Sequence, residues 1–143
     1  LPIYTANIIS NELNLAVEIN EDIAEISFGE WDGHTNDEVK QKWPNEFASW
    51  QGSWEVAPPG GESLADFDAR VMSGLFEIVS THAGKSVAVV SHVMPIRGMS
   101  RRAFDGGISA YWAPQISPCS ITILRFWGRQ AAEVVTLNST SHL

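Results

Sequence analysis

Cysteine is almost absent from this chain: Cys119 is the single one among 143 residues. That excludes an internal disulfide framework and is compatible with a reducing, cytoplasmic location. Basic residues are also scarce, nine Lys plus Arg against seventeen Asp plus Glu, for a formal net charge of -8. Such a balance argues against a protein that grips a nucleic-acid backbone or an anionic membrane surface, so neither is expected as a partner. No apolar run approaches the length of a membrane span, and the start lacks the basic-then-apolar pattern of a signal peptide. Internal repeats, low-complexity tracts and Ser/Pro-rich linkers are missing too, so residues 1–143 read as one domain, and 44% hydrophobic content suffices for a real core. No cluster of ligand-type side chains has metal-like spacing, and neither metal nor cofactor is expected.

What is present is organised around Ser86-Val87-Ala88-Val89-Val90-Ser91-His92-Val93-Met94-Pro95-Ile96-Arg97. The first half is a β-branched run of the kind that forms a strand buried on both faces, and Pro95 marks the start of a helix running to about Phe104. His92 then sits where a parallel strand gives way to a helix, the edge at which open α/β sheets bind ligands. The free N–H groups and positive dipole end of the following helix suit an anion such as phosphate. A satisfied polar residue at a strand end would look the same in this stretch taken alone.

Upstream, Ala6, Ile9 and Leu13 recur at helical spacing within Thr5–Leu13, and Val17 and Ile19 alternate as a strand. A helix with no strand before it to pack on is unusual in an α/β chain, which predicts that a strand is missing upstream. Glu25 is flanked by apolar residues and is the acid expected to be partly buried and to act as a proton donor, whereas Glu30 and Asp32 read as solvated loop charges. Trp43, Phe47, Trp50 and Trp54 fall on one face of a helix that has Pro44 in its first turn, either as core or as a lid over a pocket. His34 and His82 read as surface residues.

After the break at Pro58-Pro59-Gly60-Gly61, Ser63 with Asp66 resembles a capping box that opens a helix with the stripe Leu64, Phe67, Val71, Leu75 and Ile78, closed by Gly84. The glycine pair could also cradle a phosphate, a weak signal without a nucleotide motif. Ser120–Phe126 and Glu133–Leu137 read as strands paired across a turn at Gly128-Arg129-Gln130. The order of elements predicts an α/β fold, a three-layer α/β/α sandwich with a mostly parallel sheet.

The segment Ile23-Ala24-Glu25-Ile26-Ser27-Phe28-Gly29-Glu30-Trp31-Asp32-Gly33 resembles the acidic motif of the histidine phosphatase superfamily, the phosphoglycerate mutase-like proteins. Further landmarks run in the same order: Thr5-Ala6, Pro59-Gly60-Gly61-Glu62-Ser63 with Arg70, Val90-Ser91-His92 with Ile96-Arg97, Cys119-Ser120-Ile121, and Asn138 with His142-Leu143. The short interval between Glu25 and His92 is similar to that of the small phosphatases of the α-ribazole phosphatase and acid phosphatase branch. Mutases usually carry an insertion there.

The resemblance implies a metal-independent phosphomonoester hydrolase acting on a small phosphorylated substrate through a phosphohistidine. Glu25 would be its acid and base, His92 its electrostatic partner, and the Val93 N–H a phosphate ligand. Family members begin with a strand ending in Arg-His-Gly, whose histidine is the nucleophile, and no Arg-His-Gly occurs here. The expectation is therefore an amino-terminally truncated, inactive form whose exposed sheet edges invite pairing with a second copy. A degenerate, non-catalytic domain that binds a phosphorylated ligand or a protein, and a phosphoglycerate mutase, are the alternative readings.

Overall fold

The structure, a computed structural model, describes residues 2–143. In chain order it contains α1 (Pro2–Leu13), α2 (Asn36–Lys42), α3 (Pro44–Trp50), α4 (Leu64–Thr81), α5 (Val93–Phe104), β1 (Ile121–Trp127) and β2 (Ala131–Ser139). Short 3-10 turns at Glu21–Ile23, Gly29–Trp31 and Ile108–Tyr111 join them.

α4 and α5 form the centre. The Ser63 hydroxyl accepts the Asp66 N–H at 3.1 Å and starts α4, but the Asp66 carboxylate takes the hydroxyl proton at 2.8 Å. An aspartate is one methylene shorter than the glutamate of a full capping box, so half of the predicted box forms. The complete box is at Thr35 and Glu38, which opens α2. Leu64, Phe67, Val71 and Leu75 of α4 are buried, as the stripe predicts, against Met94 and Met99 of α5 and against Tyr111. A fully buried side chain such as Phe67 contributes about 1.5–3 kcal/mol through its area alone. α4 ends on His82 as its C-cap, with the left-handed Gly84 two residues beyond.

Two devices fix the angle between these helices. Asp68 of α4 meets Arg101 of α5 in a bidentate pair at 2.8 and 2.9 Å, and the Tyr111 hydroxyl donates to the same carboxylate. A Cβ on Gly98 would stand 2.8 Å from the Tyr111 Oη, so only glycine lets that ring lie against α5. β1 and β2 pair antiparallel as the predicted hairpin, turning at Gly128 with φ of 65°, and Leu124 and Phe126 pack on the helical core.

The predicted parallel sheet is not formed: β1 and β2 make a two-stranded sheet and are the only strands among the described residues. Ser86–Ser91 is neither helix nor ladder, and Val87 and Val89 are exposed rather than buried. Val17 and Ile19, also predicted as a strand, are likewise unpaired and exposed. A strand exists only through the hydrogen bonds of a neighbour, and neither run has one among the described residues.

α1 begins at Pro2, earlier than the predicted Thr5, and buries none of its residues; Leu13 of the expected stripe is exposed. The tryptophan-rich helix is two helices, because Trp43 leaves the helical region and Pro44 opens a new one at its first position. Trp54 lies beyond α3, past the left-handed Gly52.

Candidate functional site

Glu25 is carried by a strap of chain, Asp22–Phe28, laid across α4. The Asn20 side chain accepts the Asp22 N–H at 2.9 Å and sets the turn before it. Gly74 of α4 provides the seat, since a Cβ there would stand 2.8 Å from the Asp22 Cβ and 3.2 Å from the Ile23 Cγ2. Ile26 inserts into the core, and Glu25 beside it stays half-buried, as expected; Glu30 and Asp32 are exposed. One Glu25 oxygen accepts the Ile26 N–H at 2.9 Å, and the other has no hydrogen-bond partner among the described residues.

The glycine-rich loop before α4 holds the strap from the other side. Glu62 N–H donates to the Ser27 carbonyl at 2.8 Å, Ser27 N–H to the Glu62 carboxylate at 3.0 Å, and Glu30 N–H to the Pro59 carbonyl at 2.9 Å. Gly61 stands against this backbone, where a Cβ would lie 2.7 Å from the Ser27 oxygen. Gly29 has φ of 55° and faces Pro59 so closely that a Cβ would meet its oxygen at 2.3 Å. Of the glycine pair, Gly61 therefore packs chain on chain, while a Cβ on Gly60 would meet nothing within 4 Å.

Arg70 closes the arrangement. It forms a two-point pair with Glu62, at 2.6 and 2.9 Å, and donates to the carbonyls of Asp22, Ala24 and Glu25 at 2.9, 2.9 and 3.0 Å. The hydrogen bonds from Arg70 hold the Glu62 carboxyl below the usual carboxylate range, and the same pairing raises the Arg70 guanidinium.

His92 reaches the strap through its neighbour, for the Ser91 hydroxyl donates to the Ile23 carbonyl at 2.7 Å across 68 positions of sequence. That tether ends two residues before Glu25 and one residue before His92, so the backbones that carry the two sequence-predicted residues approach there. His92 is the N-cap residue of α5, with φ of -108° and ψ of 178° and no capping bond from its ring. Val93, the third predicted site residue, is the first residue of α5 and partly exposed. The first N–H groups of a helix lack intrahelical acceptors, and those of Val93 and Met94 have no backbone acceptor among the described residues. Pro95 has no N–H to add.

The aromatic segment flanks the strap. Trp31 lies 5.4 Å from Trp50 and 5.9 Å from Phe47 between ring centroids, and Trp50 touches Phe28 at 6.2 Å and Trp112 at 5.6 Å. His34, expected at the surface, is half-buried: it packs edge-on to Trp43, its Nε2 lies 2.7 Å from the Lys42 Nζ, and its buried Nδ1 has no partner among the described residues. His82 is half-buried at the end of α4. Among the described residues no three His, Cys, Asp or Glu side chains gather as a metal site, and no helix is long and apolar enough to cross a membrane.

Sequence reasoning missed the work of Arg70, Glu62 and Ser91. Their partners are backbone carbonyls and amides 35 to 68 positions away, which leave no mark in local composition. Arg70 and Glu62 stand out only as landmarks of the family resemblance.

The model of the histidine phosphatase superfamily (branch 1) matches residues 3–140. The bifunctional protein Rv2228c of Mycobacterium tuberculosis is 34% identical over 139 residues, 97% of this chain and 38% of that protein. The chain thus spans well under half the length of this mycobacterial relative. Phosphoserine phosphatase 1 of Hydrogenobacter thermophilus is 34% identical over 140 residues, 97% of this chain and 66% of that one. Among solved structures, Bacillus stearothermophilus YhfR superposes with a TM-score of 0.83 at 27% identity, covering 99% of this chain and 70% of its own. The α-ribazole phosphatase of Shigella flexneri shares the fold, with a TM-score of 0.81 at 19% identity over 96% of this chain and 68% of its own. With a family match along nearly its whole length and an α/β fold shared with these phosphoglycerate mutase-like structures, the chain belongs to branch 1 of the histidine phosphatase superfamily.

Proposed function

We propose that these residues form most of a metal-independent phosphomonoesterase that works through a phosphohistidine on a small phosphorylated substrate. The observation that supports the reading is the Ser91–Ile23 tether, which draws the backbone of a histidine at a helix start toward the segment that carries a half-buried glutamate.

In the first step a histidine nitrogen attacks phosphorus while Glu25 gives its proton to the departing alkoxide, so one hard displacement becomes two easier ones. His92 and the amides of Val93 and Met94 stabilise charge on the phosphoryl oxygens, the preorganised electrostatics on which phosphoryl transfer depends. In the second step the Glu25 carboxylate takes a proton from water, the water oxygen bonds to phosphorus, and histidine and inorganic phosphate are released. None of the chain's four histidines follows an arginine, and we assign the nucleophile to an Arg-His-Gly strand of the full polypeptide. The same strand would give Val17–Ile19 and Ser86–Ser91 the parallel partner that they lack here.

Phosphate release from glycerol phosphate by the full natural polypeptide tests the reading. Loss of one preorganised charge-stabilising group costs about 10²–10³-fold, and loss of the acid about 10²–10⁴-fold. His92→Ala and Glu25→Gln should fall by these factors, and turnover within a few-fold of wild type in either would contradict it.

A further inference from the structure

We infer that Arg70 is a positioning residue for the acid: it holds the Glu25 carboxyl at the reacting phosphate by fixing the backbone that carries it. This inference rests on the reading of Glu25 as proton donor.

The Glu25 carboxyl has one local hydrogen bond, to the next residue's amide, and after the 3-10 turn at Glu21–Ile23 its segment has no helix or ladder to hold its carbonyls. Irregular backbone that is partly buried must find partners elsewhere. Here three carbonyls of that segment, those of Asp22, Ala24 and Glu25 itself, converge on the Arg70 guanidinium. A planar fork of fixed donors can serve such a cluster, whereas a lysine ammonium is a point charge on a flexible stem. The fork is in turn fixed by Glu62, whose carboxylate also accepts the Ser27 N–H beyond Glu25. Arg70 thus grips the strap directly before Glu25 and through Glu62 directly after it. The Phe67 ring lies under the guanidinium at 4.9 Å and keeps the fork flat against α4. Loosening the strap would let the carboxyl drift, and a misplacement of about 1 Å can cost about 10²-fold in rate.

A purely structural arginine and a positioning one differ in leaving-group dependence. An alkyl phosphate needs a proton on its departing alkoxide; p-nitrophenyl phosphate, which releases a stable phenolate, does not. kcat/KM for glycerol phosphate and for p-nitrophenyl phosphate is measured in the full natural polypeptide as wild type, Arg70→Ala, Arg70→Lys, Glu62→Gln, Glu25→Gln and the double variant Glu25→Gln/Arg70→Ala. In Arg70→Ala the alkyl ester should lose about 10²-fold and the aryl ester less than about 3-fold, with Arg70→Lys nearer to alanine than to wild type. The double variant should be no worse on the alkyl ester than Glu25→Gln, because Arg70 acts through Glu25. Glu62→Gln keeps a side chain of the same shape and should raise the aryl-to-alkyl ratio in the same direction, which decides the matter if Arg70→Ala does not fold. Equal losses on both esters, or a further loss in the double variant, would overturn the role of Arg70 while leaving that of Glu25 standing. An unchanged ratio in Glu25→Gln would overturn the acid assignment and this inference with it.

Discussion

Gly61→Ala isolates the close approach that shapes the strap. Gly61 is not among the glycines with positive φ, so the substitution adds no backbone strain and reads the packing alone. The new Cβ would lie 2.7 Å from the Ser27 oxygen, 2.9 Å from the Phe28 carbonyl carbon and 3.0 Å from the Gly29 nitrogen. All three are backbone atoms, and the segment that carries them is pinned by the Glu62–Ser27, Ser27–Glu62 and Glu30–Pro59 hydrogen bonds. Relief by retreat sacrifices at least one of these, at about 1 kcal/mol each, and overpacking of this kind costs about 1–3 kcal/mol in total. For a chain of this size that is a fall in Tm of about 3–12 °C. Urea melts followed by tryptophan fluorescence should show a lower midpoint with an unchanged slope. Gly107→Ala is the control: φ there is negative and nothing lies within 4 Å of the added Cβ, so it should stay within about 0.5 kcal/mol of wild type. Equal midpoints for the two variants would refute the reasoning.

Three further outcomes follow from the same contacts. Arg101→Ala leaves the partly buried Asp68 carboxylate without its counter-charge, with only the Tyr111 hydroxyl as donor, and should cost up to about 3–5 kcal/mol in chemical denaturation, far more than Arg125→Ala at the exposed Arg125–Glu133 pair. The Glu62 carboxyl is held below its unfolded value, so its contribution is present above about pH 4.5 and lost as pH falls through the folded value; Glu62→Gln should flatten the acid limb of the stability profile. Tyr111 is raised by burial and by its bond to Asp68, so its contribution is complete below about pH 10 and lost as pH rises beyond it, and Tyr111→Phe should flatten the alkaline limb.

The parts of the fold that were legible in the sequence are those whose signals are local. The α4 stripe from Leu64 to Leu75, Pro95 in the first turn of α5 and the alternation around Gly128 each name their own structure within a turn or two. The Ser86–Ser91 run failed as a strand because pairing depends on a neighbour that composition does not report. The tryptophan spacing predicts one helix because it continues through Trp43 and Pro44 where the backbone does not. In the candidate site, Glu25, His92 and Val93 are the residues that a sequence motif can name. The groups that hold them, Arg70, Glu62 and the Ser91 hydroxyl, act on distant backbone and became visible only in three dimensions.

The central claim, a phosphohistidine made and then hydrolysed with Glu25 as the shared acid and base, has one direct test. In Glu25→Gln the phenolate of p-nitrophenyl phosphate can leave without a proton, but the water of the second step has lost its base. Rapid mixing of that variant of the full natural polypeptide with p-nitrophenyl phosphate should therefore give a burst of about one equivalent of nitrophenol per site, followed by turnover about 10²–10⁴-fold slower than wild type. A linear trace without a burst, at the wild-type rate, would contradict the account.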